Sequence, residues 1–336
     1  MLRKEKVSSV GLFNDSERKE NIKVVSLTSS VVITTYNGEK HILEQLDSLR
    51  NQSMKPNEVI ILDDASIDNT VDIIEHYIHQ YDLMSWRIIC NPINVGWKKN
   101  FLTGFRLAGG DVIFPCDQDD IWHIDKIESM MRIMMANNNI SVLAGQAHKF
   151  FEREKKEGLS EILDRLDDDK NKNTENVFQP GFDESFFWRE PGCVLAIRRS
   201  FFQKYDTQVI DTYAHDAIIP YYAKILGEYY VYDRSVIEWR RHSDSSSKTS
   251  IMTRQKRIKE LEYDRSMCDI LLDFADKENI DPTIIDHIRN VSEWNRLRIE
   301  LVRDKKIISG LYLIRYFKCY LRKRRYITDF VYSIRG

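Results

Sequence analysis

The sequence predicts an α/β protein: a mostly parallel sheet flanked by helices, with a helical C-terminal extension. Three observations carry this. Between residues 24 and 116, apolar β-branched runs alternate with amphipathic helical stretches, the pattern of βαβ units. Acidic clusters stand directly after two of those runs. From Met252 onward the apolar spacing is helical, with one break at Asp281-Pro282.

Each element has its own reason. Val31 to Thr35 is a short apolar run, the mark of a buried strand, and Tyr36-Asn37-Gly38 turns the chain. Ile42, Leu43, Leu46 and Leu49 recur at helical spacing within 39–51. Glu58 to Leu62 is a second buried strand, followed by the polar turn Asp63 to Asn69. Val71, Ile73, Ile74, Tyr77 and Ile78 mark the next helix, and Trp86 to Cys90 a third strand. A helix near Lys99 to Leu107 stops at Gly109-Gly110. Asp111 to Cys116 is a fourth strand, ending in Asp117-Gln118-Asp119-Asp120. The middle is less regular: 151–176 is mostly charged or amide and predicts a mobile insertion, while 182–188 is aromatic-rich. Gly192 to Ile197 and Tyr229 to Trp239 read as late strands, with a short helix at Arg198 to Tyr205.

Composition narrows the function classes. The 336 residues are 42% hydrophobic and 30% charged, enough for a core, and a net charge of −2 gives no reason to expect nucleic acid. Five cysteines, an odd number and widely spaced, fit neither a disulfide framework nor a cysteine zinc site, so a reducing, cytoplasmic setting is expected. The N-terminus lacks the apolar run of a signal peptide, and no stretch reaches the roughly 20 apolar residues of a membrane span.

Chemistry concentrates at the strand ends, where open parallel sheets bind ligands. Asp117 and Asp119, two apart at a strand end, can both face a divalent cation, which prefers oxygen ligands and neutralises a diphosphate. The same residues also make an acidic turn capping the helix that follows. Asp63-Asp64 with Ala-Ser-Ile-Asp is likewise a good turn and cap sequence.

Taken in order, Val31–Gly38, Ser48–Gln52, Val59–Thr70, Asn94-Val95-Gly96 and Gly110–Trp122 resemble the family 2 glycosyltransferases. That resemblance implies the GT-A fold, a Rossmann-like sheet. The string Asp-Gln-Asp-Asp-Ile-Trp is similar to a subgroup with many rhamnosyltransferases of capsule and O-antigen assembly. The implied division is a polar N-terminal extension (1–25), a GT-A domain (26–250) and a helical, basic C-terminal region (251–336). Thr34 stands where the family often has Pro.

The resemblance also implies roles. Thr35, Tyr36 and Asn37 lie near the nucleobase, and Asp63 or Asp64 takes base or ribose. Asp117 and Asp119 hold Mn²⁺ or Mg²⁺ beneath the diphosphate, with Asp119 the direct ligand; Lys98 or Lys99 reaches a phosphate. Trp122, Gly192 and His215 face the acceptor. Asp216 is the catalytic base of an inverting transfer, although His215-Asp216 also reads as an ordinary helix start. Trp239–Ser246 resembles an Arg-x-His segment, making His242 a metal ligand or diphosphate contact and Arg240 or Arg241 a phosphate partner. No Gln-x-x-Arg-Trp string is present, so one sugar per acceptor is expected. The donor is a nucleoside-diphosphate sugar, dTDP-rhamnose or a UDP-hexose or UDP-N-acetylhexosamine, and the acceptor an undecaprenyl-linked saccharide.

Residues 301–336 hold ten Lys or Arg against two Asp, interleaved with aromatics. This reads as a foot on the cytoplasmic face of an anionic membrane, or as a packed helix with a solvated basic end. Two rivals remain. A nucleotidyltransferase lacks support because no Gly-rich basic phosphate loop follows the first strand. A non-catalytic nucleotide-binding module would bind without transferring.

Overall fold

The computed structural model describes residues 26–151, 176–181, 190–208, 213–241, 253–320 and 324–334. The N-terminal extension, nearly all of the expected insertion, the 182–188 aromatic run and His242 lie outside them.

The first half is the βαβ series read from the sequence. Strands β1 (Ser29–Thr35), β2 (Glu58–Asp63), β3 (Trp86–Cys90) and β4 (Val112–Cys116) are joined by α1 (Ile42–Arg50), α2 (Thr70–Gln80) and α3 (Trp97–Leu107). The four strands pair in parallel, in the order β3-β2-β1-β4. After β4 come β5 (Ile121–Trp122), α4 (Lys126–Ala136), β6 (Val142–Phe151) and β7 (Val177–Phe178). Then follow β8 (Leu195–Arg198), α5 (Arg199–Tyr205), α6 (His215–Ile225) and β9 (Tyr229–Arg241).

β8 runs antiparallel to both β4 and β6, and β6 then pairs in parallel with β9 along its whole length. β5 and β7 add to β9 in antiparallel fashion. The long pairings are the parallel ones, so the expected sheet type is found. β6 has no counterpart in the sequence reading. After Val142-Leu143-Ala144 its residues turn mixed and polar, and its partner β9 arrives only much later in the chain.

Alternate residues of each strand supply opposite faces, as the pleat requires. Val31, Ile33, Val59, Ile61 and Phe114 pack under α1, α2 and α4. Val32, Ile60, Leu62 and Ile113 pack under α3 and α6. The result is a helix–sheet–helix sandwich.

The C-terminal helices α7 (Arg254–Lys277), α8 (Pro282–Asp304), α9 (Ile307–Tyr312) and α10 (Arg324–Ile334) follow. Asp281 accepts from Thr283 N–H and Pro282 opens α8, which explains the break. Leu271, Phe274 and Ile288 belong to the same core cluster as Val32, and Phe274 stacks on Tyr222 at 3.9 Å. Further out, fully buried Asp329 accepts hydrogen bonds from Arg257 (3.0 Å), Arg298 (2.7 Å) and Tyr320 (2.9 Å). This cluster ties α10 to α7 and α8.

Asp329→Ala would leave the buried Arg298 without its carboxylate and Arg257 with Glu260 alone, so it should cost about 3–5 kcal/mol. Urea unfolding followed by helical circular dichroism reads this directly; a loss under about 1 kcal/mol would remove the cluster as the anchor of α10.

Candidate active site

The ends of β1 and β2 are cross-braced. Thr35 Oγ1 donates to Asp63 Oδ1 at 2.8 Å, and the same carboxylate accepts from Ser66 N–H (2.7 Å) and Ser66 Oγ (2.6 Å). Asp64 accepts from Val95 N–H and Gly96 N–H, both at 2.8 Å, and from Asn91 Nδ2 at 3.0 Å. Both aspartates are buried. With three donors each, they are engaged in shaping two loops, the turn after β2 and the loop before α3. Asn37 adopts φ 48°, and its side chain accepts from Ile67 N–H at 2.9 Å. Tyr36 is left exposed above these braces. Its backbone is clasped by Gln118, which accepts from Tyr36 N–H (2.8 Å) and donates to its carbonyl (3.1 Å). That clasp joins the expected nucleobase pocket to the acidic loop after β4.

In that loop Asp117 and Asp119 are half-buried and Asp120 is fully buried. The donor atoms that converge are those of Asp117, Asp120 and Cys193, all within 4.8 Å of one another. Burial, then the charges of Asp120, Asp119 and Asp216, push the Asp117 carboxyl well above its ordinary range. Burial and Asp119 push Asp120 up to about 7. Asp120 Oδ2 has no hydrogen-bond partner among the described residues.

Two cations hold this loop from beneath. Lys126 is fully buried; its ammonium donates to the Cys193 carbonyl at 2.5 Å and lies 3.2 Å from the centre of the Trp122 ring. Burial brings it down to about 7. Arg240, at the end of β9, is equally buried. Its Nε donates to the Asp119 carbonyl at 2.7 Å, its backbone N–H donates to Asp120 at 3.1 Å, and its guanidinium pairs with Glu44 on α1. The expected phosphate contact of Arg240 is therefore corrected: a guanidinium with no exposed surface braces the loop from inside. Trp122, expected at the acceptor, is only 2% exposed; its ring packs under Lys126 and against Phe114.

The other side of the site, where the resemblance places the acceptor, comes from α6. His215 opens this helix, with its ring 4.2 Å from Phe101, 5.3 Å from Phe105 and 6.1 Å from Trp97. Neither ring nitrogen has a partner among the described residues, and burial brings the imidazole down to about 4. Gly192 allows this packing: a Cβ there would lie 2.5 Å from His215 Nε2. His215 and Gly192 are thus buried supports beside Asp216, which stands half-buried in the first turn of α6, near enough for its charge to act on Asp117.

Trp97 was missed by the sequence reading. It is 42% exposed at the start of α3, edge-on to His215. The run Trp97-Lys98-Lys99 reads as a polar helix start, and only the packing of α3 against α6 puts an open indole beside His215. Gly96 precedes it at φ 87°, in the left-handed region that suits glycine.

A divalent cation suits this site. Crowded carboxylates with raised pKa values and an orphaned buried oxygen are what a cation relieves. The Cys193 thiol adds a softer donor that spacing could not reveal.

Residues 30–205, just over half of the chain, match the glycosyl transferase family 2, and the chain belongs to that family. It is 27% identical over 237 residues to the dTDP-rhamnosyl transferase RfbG of Shigella flexneri, covering 67% of this chain and 76% of that protein. An uncharacterized protein of Mycobacterium tuberculosis is 39% identical over 94 residues, which span 28% of this chain and 27% of that relative. Among solved structures, Staphylococcus aureus TarS 1-349 in complex with UDP-GlcNAc superposes with a TM-score of 0.57 at 16% identity, covering 92% of this chain and 82% of that one. The mannosyltransferase PcManGT of Pyrobaculum calidifontis, in complex with GDP-Man and Mn²⁺, gives 0.50 at 15% identity, covering 92% and 85%. At such identities the likeness is one of fold, and the fold is the expected GT-A.

Two outcomes follow from the packing. The unfolded chain protonates His215 near 6.5 and the fold only near 4, so over that interval the unfolded state binds more protons. His215 should therefore subtract stability as pH falls from about 7 to 4, by up to ~3 kcal/mol. Melting curves of wild type and His215→Asn across this range should converge toward acid pH; parallel curves would refute the buried neutral ring. Arg240→Met removes the brace on Asp119 and should weaken metal-dependent nucleotide binding about tenfold or more, read by isothermal titration calorimetry; unchanged affinity would show that the loop holds its shape without Arg240.

Proposed function

We propose that the chain is a metal-dependent glycosyltransferase that moves one sugar from a nucleoside-diphosphate sugar to a hydroxyl of a lipid-linked saccharide, with inversion. The observation that carries this reading is that Asp216, in the first turn of α6, lies close enough to the acidic end of β4 for its charge to raise the Asp117 carboxyl. A carboxylate close to a diphosphate site, able to take the proton of an acceptor hydroxyl, is what a single displacement requires.

In this mechanism Tyr36 and the loops braced by Asp63 and Asp64 receive the nucleotide, with Thr35 and Asn37 shaping its floor. Asp117, with the Asp120 and Cys193 donor atoms that converge with it, would hold the cation, and Asp119 and His242 are the further ligands that the family resemblance implies. When bound, that cation supplies positive charge against the departing nucleoside diphosphate. Asp216 takes the proton of the acceptor hydroxyl; its oxygen bonds to the anomeric carbon as the bond to the diphosphate oxygen breaks on the opposite face. Trp122, Gly192 and His215 serve the acceptor side at one remove, as the packed support of Lys126, the 192–194 turn and Asp216. Trp97 offers the exposed ring on which a sugar can stack.

A dTDP-rhamnose donor is supported by the RfbG match, which spans 67% of this chain and 76% of that protein. A UDP-N-acetylhexosamine donor is the second reading, supported by 34% identity over 93 residues to the poly(ribitol-phosphate) β-N-acetylglucosaminyltransferase TarS. An undecaprenyl-linked acceptor in surface-polysaccharide assembly would place the chain at the cytoplasmic face of a membrane. No helix among the described residues is long and apolar enough to cross one.

Thermal shift with dTDP and with UDP, each with and without Mn²⁺, is the primary test. Stabilisation by one nucleotide only when metal is present names the donor class; none by either would remove the nucleotide site. Asp216→Asn should keep that shift while transfer from the matching donor falls by at least about 10³-fold, measured by nucleotide release with a lipid-linked acceptor extract. Intact transfer in the variant would exclude Asp216 as the base.

A further inference from the structure

The two last helices turn an aliphatic stripe outward, although Tyr326, Phe330 and Tyr332 of α10 and Leu313 after α9 pack inward. On α9 the small residues Ser309 and Gly310 face the protein, while Ile307, Ile308 and Leu311 are 59–69% exposed and Ile314 just beyond is 61% exposed. On α10 Asp329 and Ser333 are buried, while Ile327 (66%), Val331 (38%) and Ile334 (77%) form one exposed stripe at i, i+4 and i+7. A soluble amphipathic helix keeps such a stripe on its core side.

The helices lie against each other. A Cβ on Gly310 would run into the Phe330 ring, and Tyr326 Oη donates to the Gly310 carbonyl at 3.1 Å. Their outward stripes therefore adjoin. Around them Lys305, Arg315, Lys318 and Arg325 are exposed, while Lys306 pairs with Glu300 at 3.6 Å and exposed Asp304 borders the run. From residue 305 to the C-terminus the only acidic residue is Asp329, and it is enclosed with Arg257 and Arg298. The surface is apolar at its centre and cationic at its rim.

We propose that this face, α9 with the turn after it and α10, docks on an anionic lipid bilayer, with the aliphatic side chains inserted at headgroup depth and the Lys and Arg rim on lipid phosphates. The charge chooses the partner: a second copy would bring the same cationic rim against this one, whereas an anionic bilayer complements both parts of the surface. The proposal locates the membrane contact of the transfer reading above, but it is read without any sugar transfer.

Sedimentation with large vesicles tests it. Wild type should pellet with phosphatidylcholine vesicles carrying roughly a third phosphatidylglycerol and remain in solution with phosphatidylcholine alone, and binding should weaken as salt rises. Ile308→Asp with Ile327→Asp changes two exposed side chains, so the fold and the metal-dependent nucleotide shift should persist while vesicle binding drops about tenfold or more. Arg315→Gln with Lys318→Gln should weaken binding at low salt. Three results overturn the proposal: a wild type that stays in solution, an aspartate double variant that binds like wild type, or equal binding to neutral vesicles. A wild type that ignores vesicles but dimerises through these residues would assign the face to a second copy. Loss of the nucleotide shift in wild type would instead sink the transfer reading and leave the lipid result standing.

Discussion

Several carboxylates held around one buried point are the constraint on which the site depends. Asp117, Asp119 and Asp120 sit together at the end of β4, with Asp216 close enough to raise the Asp117 carboxyl further. Like charges in a poorly solvated space repel, and a fold keeps such an arrangement only when the surroundings over-determine it. Here they do. Lys126 stands beneath, Arg240 grips the Asp119 carbonyl, and the Gln118 amide clasps Tyr36. Each support comes from a different element, so the loop is fixed from α4, β9 and β1 together.

The same economy runs through the loops after β2 and before α3. Asp63 and Asp64 are adjacent in sequence, yet each closes a different loop. Because Asp64 holds Gly96, and Trp97 follows Gly96 onto α3 and touches His215, the loop before α3 and the start of α6 form one packed chain of contacts. The buried, uncharged His215 is the least adaptable part of it. Its ring is surrounded by Phe101, Phe105 and Trp97, and Gly192 leaves no slack.

The parallel half of the sheet was legible because its signals are local. Val31 to Thr35 and Glu58 to Leu62 are apolar runs buried on both faces, and acidic residues at their ends mark where a ligand belongs. The order and type of those elements were therefore readable. β6 was not, because its second half has no apolar alternation and its stability rests on pairing with distant β9. Individual roles failed for the same reason. Lys126 carries the charge of a surface residue, Arg240 that of a phosphate ligand, and Trp122 follows an acidic motif; all three are buried by contacts that sequence spacing does not record. Trp97, beside two lysines, gave no sign that it would be the exposed ring.

The dependence of the acidic loop on β9 also sets when, during synthesis, the site can exist. The series from β1 to β4 is complete within residues 29–116 and can pair before β9 is made. Arg240 lies 120 residues beyond the Asp120 carboxylate it caps, and among the described residues β5 pairs only with that same late strand. A ribosome-bound chain that has released α3 and β4 but not β9 would have the strands and the aspartates without their brace, and with the aspartates' repulsion uncompensated. The binding site is thus among the last parts of this sheet to be completed, and a nascent chain presents a scaffold before it presents a site.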